Sequence, residues 1–157
     1  MTGDDTQTQT LLNLGIVPAL VHLLGSASRA VKAKAAWSLS NITAGTPEQI
    51  QMVIDAGGLD LLVDLLGLEH PMMIRTEACW AVGNMTLGAT QEQARHLTTM
   101  NIVPRLGSLL EPEERAHEVA LQALQTLFNK DEQGSVGAIA QAKVEGVFTG
   151  RFRRPQM

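Results

Sequence analysis

Apolar residues recur every three or four positions over long parts of the chain, which is the spacing of a helix with one buried face. In the segment 28–43, for example, Val31, Ala35, Leu39 and Ile42 fall on one side of a helix that turns about 100° per residue. The aromatic content is only 3%, and the apolar residues are mostly Leu, Val, Ile, Ala and Met, a mixture that favours helices over sheets. The pattern therefore predicts an all-α protein without strands.

The helical pattern repeats along the chain. Three apolar segments of similar design begin at Gly15, Gly57 and Asn101, which are 42 and 44 residues apart. The segment around Trp37 is likewise similar to the segment around Trp80, 43 residues later. A period of this length is typical of armadillo and HEAT repeats. We therefore expect three stacked armadillo repeats of about three helices each, which share one core in a superhelical solenoid.

Capping boxes mark where the first helix of each unit begins. The pattern Thr-x-x-Gln occurs at 46–49 and 90–93, and Asp-x-x-Gln occurs at 4–7. The predicted helices are 5–14, 17–24 and 28–43 in the first unit, 47–55, 59–66 and 72–86 in the second, and 91–100, 103–110 and 113–129 in the third. The predicted units are 1–44, 45–88 and a degenerate 89–130, and we expect a partial repeat and a basic tail at 131–157.

A second ordered face lies on the longest helix of the first two units. Trp37 and Asn41 fall on one side of the first, and Trp80 and Asn84 repeat this arrangement on the second. A single Trp in a helix is usually a core residue, and a single Asn is usually a surface residue or a cap. Here both recur one turn apart on equivalent helices, which favours a shared binding surface. We call these four residues the Trp–Asn ladder.

The third unit departs from this pattern. When the third unit is aligned with the second, Leu121 and Gln125 take the places of Trp and Asn, and Glu118 takes the place of Glu77. We therefore expect the ladder to end after two rungs.

The chemistry of the ladder suits an extended basic peptide. An Asn amide both donates and accepts hydrogen bonds, so it can hold the N–H and C=O groups of a guest backbone. Trp rings form slots in which the methylene stem of Lys or Arg is buried while its charge is attracted to the ring face. Glu77, one turn before Trp80, is placed to pair with that charge.

Two segments, Lys34–Gln51 and Glu77–Thr86, resemble importin-alpha, and the resemblance covers about residues 2 to 130. It implies an adaptor of nuclear import, found in cytoplasm and nucleus, that binds Lys/Arg-rich nuclear localisation signals. The array is similar to the family's second, or minor, site, and the family's import cycle implies importin-beta as a partner. The peptide-binding residues implied are Trp37, Asn41, Glu77, Trp80 and Asn84.

This chain also differs from the family. Lys34 stands where the family usually has Glu, so it places a like charge beside a basic guest. The importin-beta-binding segment and the repeats of the major site are absent, which predicts a fragment, a short isoform or a truncated product. Two alternatives therefore remain open: an armadillo scaffold for non-basic protein partners, and a product without transport activity.

Other functional classes find little support in the sequence. The net charge of −4 does not favour nucleic acid as a partner, and polar residues interrupt the uncharged stretch 6–28, which argues against a membrane span. The four His residues lack metal-ligand spacing, and there is neither a phosphate-binding Gly loop nor a nucleophile elbow. We expect no enzyme, no cofactor and no metal, and we expect Cys79 to be structural.

Overall fold

The computed structural model describes residues 9, 10, 12 and 14–130, and these residues contain helices but no strand. The all-α prediction is therefore confirmed for that part of the chain. None of its helices is long and apolar enough to cross a membrane. Most of the predicted helix 5–14 and the predicted partial repeat and tail at 131–157 lie outside the described residues. The helices are α1 (Ile16–Leu23), α2 (Arg29–Thr43), α3 (Pro47–Asp55), α4 (Gly58–Leu65), α5 (Met72–Gly88), α6 (Gln91–Thr98), α7 (Ile102–Ser108) and α8 (His117–Lys130).

Both capping boxes within the described residues form as predicted. At the start of α3 the Thr46 hydroxyl accepts from the Gln49 amide at 3.2 Å, and Gln49 Oε1 accepts from the Thr46 amide at 3.1 Å. Thr90 and Gln93 make the same two bonds at the start of α6, at 3.1 and 3.0 Å. Two otherwise unpaired backbone donors are thus satisfied at each helix start. The predicted box at 4–7 lies in the undescribed part.

The two capping glutamines also link successive units. The Nε2 group of Gln93 donates to the Pro47 carbonyl at 3.0 Å and to Gln51 Oε1 at 2.9 Å. In the same way, Gln49 Nε2 donates to Gln9 Oε1 at 3.3 Å. One amide therefore closes the start of its own helix with its oxygen and bonds the preceding unit with its nitrogen.

A left-handed residue precedes each second helix. Gly15 and Gly57 both have φ 80°, and Asn101 has φ 58°, a conformation that Gly and Asn adopt more readily than other residues. Because this turn sets the start, α1 and α7 begin at Ile16 and Ile102, one residue before the predicted starts at 17 and 103.

The start of α8 differs most from the prediction, because the helix begins at His117 and not at 113. The residues just before it form a turn that carries the Glu114 side chain into the interface with α5. There Glu114 Oε1 lies 2.5 Å from the Nη2 atom of Arg75, and both residues are buried. Arg75 also donates to the His70 carbonyl. Removing one partner of such a buried ion pair strongly destabilises a protein, because the other charge stays buried without a partner.

The three longest helices, α2, α5 and α8, pack side by side in that order and carry the candidate site. Gly83 brings α5 and α8 close together, because a Cβ atom at that position would lie 2.8 Å from Val119 Cγ1. At its far end α5 is held by Lys130, whose Nζ donates to the carbonyls of Thr86, Leu87 and Ala89 at 2.7, 2.9 and 2.9 Å. A cation is favourable here, since the last carbonyls of a helix lack intrahelical donors.

Candidate functional site

The Trp–Asn ladder lies on two adjacent helices. Trp37 and Asn41 belong to α2, and Trp80 and Asn84 belong to α5. The two indoles are 57% and 47% exposed, whereas the Asn residues are half-buried. Apolar neighbours on the same helices, such as Leu39 and Val82, are fully buried. The Trp residues are therefore not core residues, and their rings are accessible to a guest.

Two hydrogen bonds between the helices fix the position of one rung relative to the other. The Nδ2 group of Asn84 donates to the Ser40 carbonyl on α2 at 2.9 Å. In the opposite direction the Thr43 hydroxyl donates to the Ala81 carbonyl on α5 at 2.9 Å. Asn84 is therefore held in place by the fold itself, and its amide retains one N–H and its oxygen for further bonding.

Asn41 has a different environment. Its side chain is half-buried and makes no hydrogen bond to the residues that the structure describes. The whole Asn41 amide is therefore open to further hydrogen bonds, whereas Asn84 uses one N–H for its bond to Ser40. The two rungs are alike in sequence but not in structural role.

Charged residues stand beside both rungs. Glu77 lies one turn before Trp80 and is half-buried, and this burial raises the pKa of its carboxyl. Lys34 is at the equivalent position on α2, is exposed, and forms no ion pair with any residue in the described part. The face therefore carries opposite charges beside its two Trp residues.

Next to the second rung, α5 and α8 enclose a small cavity of about 20 Å³. Its volume is close to that of one water-sized sphere, so it can take a methyl group but not a Lys stem or a ring. Leu87 lies on one wall and is 52% exposed. The lining residues are Trp80, Gly83, Asn84, Leu87, Val119, Gln122 and Ala123.

Residues 4–44 and 46–87 each match the family described as armadillo/beta-catenin-like repeat. This chain belongs to the armadillo/beta-catenin-like repeat family. Stacked helical units with an exposed face on their longest helices are therefore the expected architecture of this armadillo chain, and the predicted solenoid is confirmed.

Curated relatives of the armadillo chain are named importin alpha subunits, the family that its sequence resembles. It is 45% identical over 65 residues to importin subunit alpha-1a of Oryza sativa subsp. japonica, covering 41% of this chain and 12% of that protein. It is 28% identical over 147 residues to importin subunit alpha-9 of Arabidopsis thaliana, covering 92% of this chain and 27% of that protein. The resemblance to importin-alpha is confirmed, and the chain spans about an eighth to a quarter of the length of these relatives.

Solved structures give the same fold. A designed armadillo repeat protein, solved in complex with the peptide (KR)4, matches with a TM-score of 0.74 and 28% sequence identity. The match covers 94% of this chain and 69% of the designed protein.

The predicted alignment of the third unit with the second is wrong by one residue. Ala120, Leu124 and Leu127 of α8 are buried, and they correspond to Ala78, Val82 and Met85 of α5 at an offset of 42. That offset places Gln122 opposite Trp80, Thr126 opposite Asn84 and Val119 opposite Glu77. Leu121 instead packs partly buried against the core, and Gln125 and Glu118 point elsewhere on the surface. Apolar residues at 119–121 and at 123–124 allow both alignments, so the sequence carries no signal that separates them.

The structure also brings together three side chains that the sequence analysis did not single out. Asp64, Glu69 and His70 place ligand atoms within 4.8 Å of one another. The Arg105 guanidinium already lies 4.0 Å from Asp64 Oδ1 and 3.9 Å from Glu69 Oε1. Because the Arg105 cation already pairs with both carboxylates, we assign this cluster no metal-binding role.

Cys79 is fully buried beside the ladder. Burial, with a smaller contribution from the charge of Glu114, raises the pKa of its thiol to about 12. The thiol is therefore protonated at neutral pH and unsuited to act as a nucleophile.

Proposed function

We propose that this armadillo chain binds extended Lys/Arg-rich peptides across α2 and α5, in the manner of a nuclear localisation signal receptor. The observation that carries the proposal is the pair of half-exposed Trp residues, Trp37 and Trp80, each followed one turn later by Asn on neighbouring helices. Core burial does not account for Trp side chains that expose about half of their surface at equivalent positions, and their rings fit the stems of long cationic side chains.

Each ladder residue has its own part in binding. Asn41 offers both ends of its amide to the guest backbone, and Asn84 offers the atoms that its bond to Ser40 leaves over. The indoles flank the stems of Lys or Arg, with a cation–π attraction of about 0.5–1 kcal/mol at exposed sites. Burial disfavours the ionised form of Glu77, and a guest cation beside the carboxylate would stabilise that form.

The comparisons support a basic guest and a role in transport. The designed neighbour was solved with a peptide of alternating Lys and Arg, and the curated relatives are named importin alpha subunits. We propose on this basis an adaptor-like binding module that acts in cytoplasm and nucleus, in a transport cycle that involves importin-beta. This chain covers 12% and 27% of the length of these two relatives.

The test is a binding titration with one bipartite basic peptide and its Lys/Arg→Ala counterpart. The chain should bind the first and not the second, and the variant Asn41→Ala/Asn84→Ala should lose about ten-fold or more in affinity, since two backbone contacts are removed. Gln125→Ala on the exposed surface of α8 is the matched control and should bind like the parent. Equal affinity in a double Asn variant of unchanged helicity would mean that the ladder takes no part in binding.

A further inference from the structure

The charges beside the ladder change from one helix to the next. Lys34 is on α2, Glu77 is on α5, and the corrected register places neutral Val119 at the equivalent position of α8. The order across the groove is therefore positive, negative, neutral.

The charge of Lys34 is not balanced by its own surroundings. Helix α2 carries Arg29, Lys32 and Lys34 but no acidic residue. Lys34 is exposed, and no carboxylate in the described residues lies within ion-pair distance of it. On the helix surface it shares a face with Trp37, because residues three apart are neighbours. A guest that lies across Trp37 and Asn41 therefore meets an uncompensated ammonium group.

We infer that the preferred ligand of this groove is a peptide of mixed charge, with a carboxylate beside Lys34 and a Lys or Arg beside Glu77. The inference rests on the proposed function and names the guest more closely. Packed helices lie about 8–10 Å apart and an extended chain advances about 3.3 Å per residue, so the two guest charges are two or three residues apart. A uniformly basic peptide gains at Glu77 but places a second cation against Lys34, where like charges repel.

The probes are labelled peptides with a Lys-Arg pair and one Glu, placed two or three residues before the pair or two or three residues after it. Each has a counterpart in which Glu is replaced by Gln, and one further peptide is wholly basic. In the parent chain at least one Glu peptide should bind roughly two- to five-fold more tightly than its Gln counterpart, the range expected of a solvent-exposed ion pair. The advantage should shrink as salt is added.

Two charge-reversal variants separate a local contact from a general effect of charge. Lys34→Glu should invert the preference, so that the wholly basic peptide binds more tightly than the best Glu peptide. Lys32→Glu changes the net charge equally, but Lys32 lies about 200° around α2 from Lys34, away from the ladder. It should shift all affinities by similar factors and leave the ratio of Glu to Gln peptides unchanged.

The outcomes distinguish the two levels of the proposal. If the wholly basic peptide binds through Asn41 and Asn84 but no Glu peptide exceeds its Gln counterpart, the mixed-charge inference is wrong and the proposed function stands. The inference is equally overturned if Lys32→Glu removes the Glu preference as fully as Lys34→Glu. If no Lys/Arg peptide of any pattern binds the folded parent, the proposed function itself fails.

Discussion

The side-chain amide of Asn84 on α5 donates a 2.9 Å hydrogen bond to the backbone carbonyl of Ser40 on α2. The residue that we propose to hold a guest thus also ties two successive units together. Asn41 makes no such bond within the described residues, so the two rungs can be separated by experiment.

Asn84→Ala is expected to lower the free energy of unfolding by about 0.5–1.5 kcal/mol, the usual net contribution of one hydrogen bond. Asn41→Ala should change it much less, because no bond to the described part of the fold is lost. Urea unfolding of the two variants beside the parent measures the difference. Equal stability of both would show that the bond to Ser40 contributes nothing in solution.

Binding of a basic peptide should weaken as the pH falls, because only ionised Glu77 attracts a cation. Burial raises the pKa of Glu77, so the loss should set in at a higher pH than it would for an ordinary glutamate with a pKa of 4.5. Affinity is thus fully present above the raised pKa and is lost as the pH falls through it. Titrations with a peptide that lacks Asp, Glu and His measure the effect.

Glu77→Gln is the control for that pH dependence. The variant should bind basic peptides more weakly than the parent at neutral pH, with an affinity that no longer changes over the acid range. If the parent and the variant show the same dependence of affinity on pH, a group other than Glu77 titrates.

Gly83→Ala should destabilise the protein although alanine favours helices by about 1 kcal/mol over glycine. The new methyl group would meet Val119 Cγ1 at 2.8 Å, and forcing extra volume into a packed interface costs about 1–3 kcal/mol. In the double variant Gly83→Ala/Val119→Ala the space is restored, so its melting temperature should exceed that expected from adding the two single effects. A stabilised Gly83→Ala single variant would mean that α5 and α8 separate without cost.

Lys130→Met is expected to lower the free energy of unfolding by about 1–2 kcal/mol, since a cation at a helix C-terminus and its hydrogen bonds are lost together. Methionine keeps most of the apolar stem, so the change reports on the ammonium group. Amide hydrogen exchange at Ala89, whose N–H bonds the Met85 carbonyl at 2.9 Å, should become faster. Arg115→Met, an exposed cation before α8, is the control and should leave both measurements unchanged.

The helical units and the ladder could be predicted from the sequence because both recur. The capping boxes and the four-residue spacing of Ile74, Ala78 and Val82 act locally, so each helix of the second unit is placed within a few residues. The equivalence of Trp37 and Trp80 needs only the period of the chain.

The register of α8 could not be predicted in this way, because apolar residues occur at 119–121 and at 123–124. Two adjacent registers therefore give an apolar face, and the close approach of Gly83 to Val119 selects one of them. The late start of α8 has a similar cause. Glu114 suits a helix locally, but its ion pair with Arg75 holds the chain in a turn.

The glutamines at 49 and 93 have a consequence for how such units can be exchanged. In each side chain the amide oxygen caps the start of its own helix, and the amide nitrogen bonds the preceding unit. In the preceding unit Gln93 bonds the Pro47 carbonyl and Gln51 Oε1, and Gln49 bonds Gln9 Oε1. A unit that is moved into another repeat protein with both its capping glutamine and its acceptor groups can form these bonds with its new neighbours. A unit that lacks either group needs a new contact between the units.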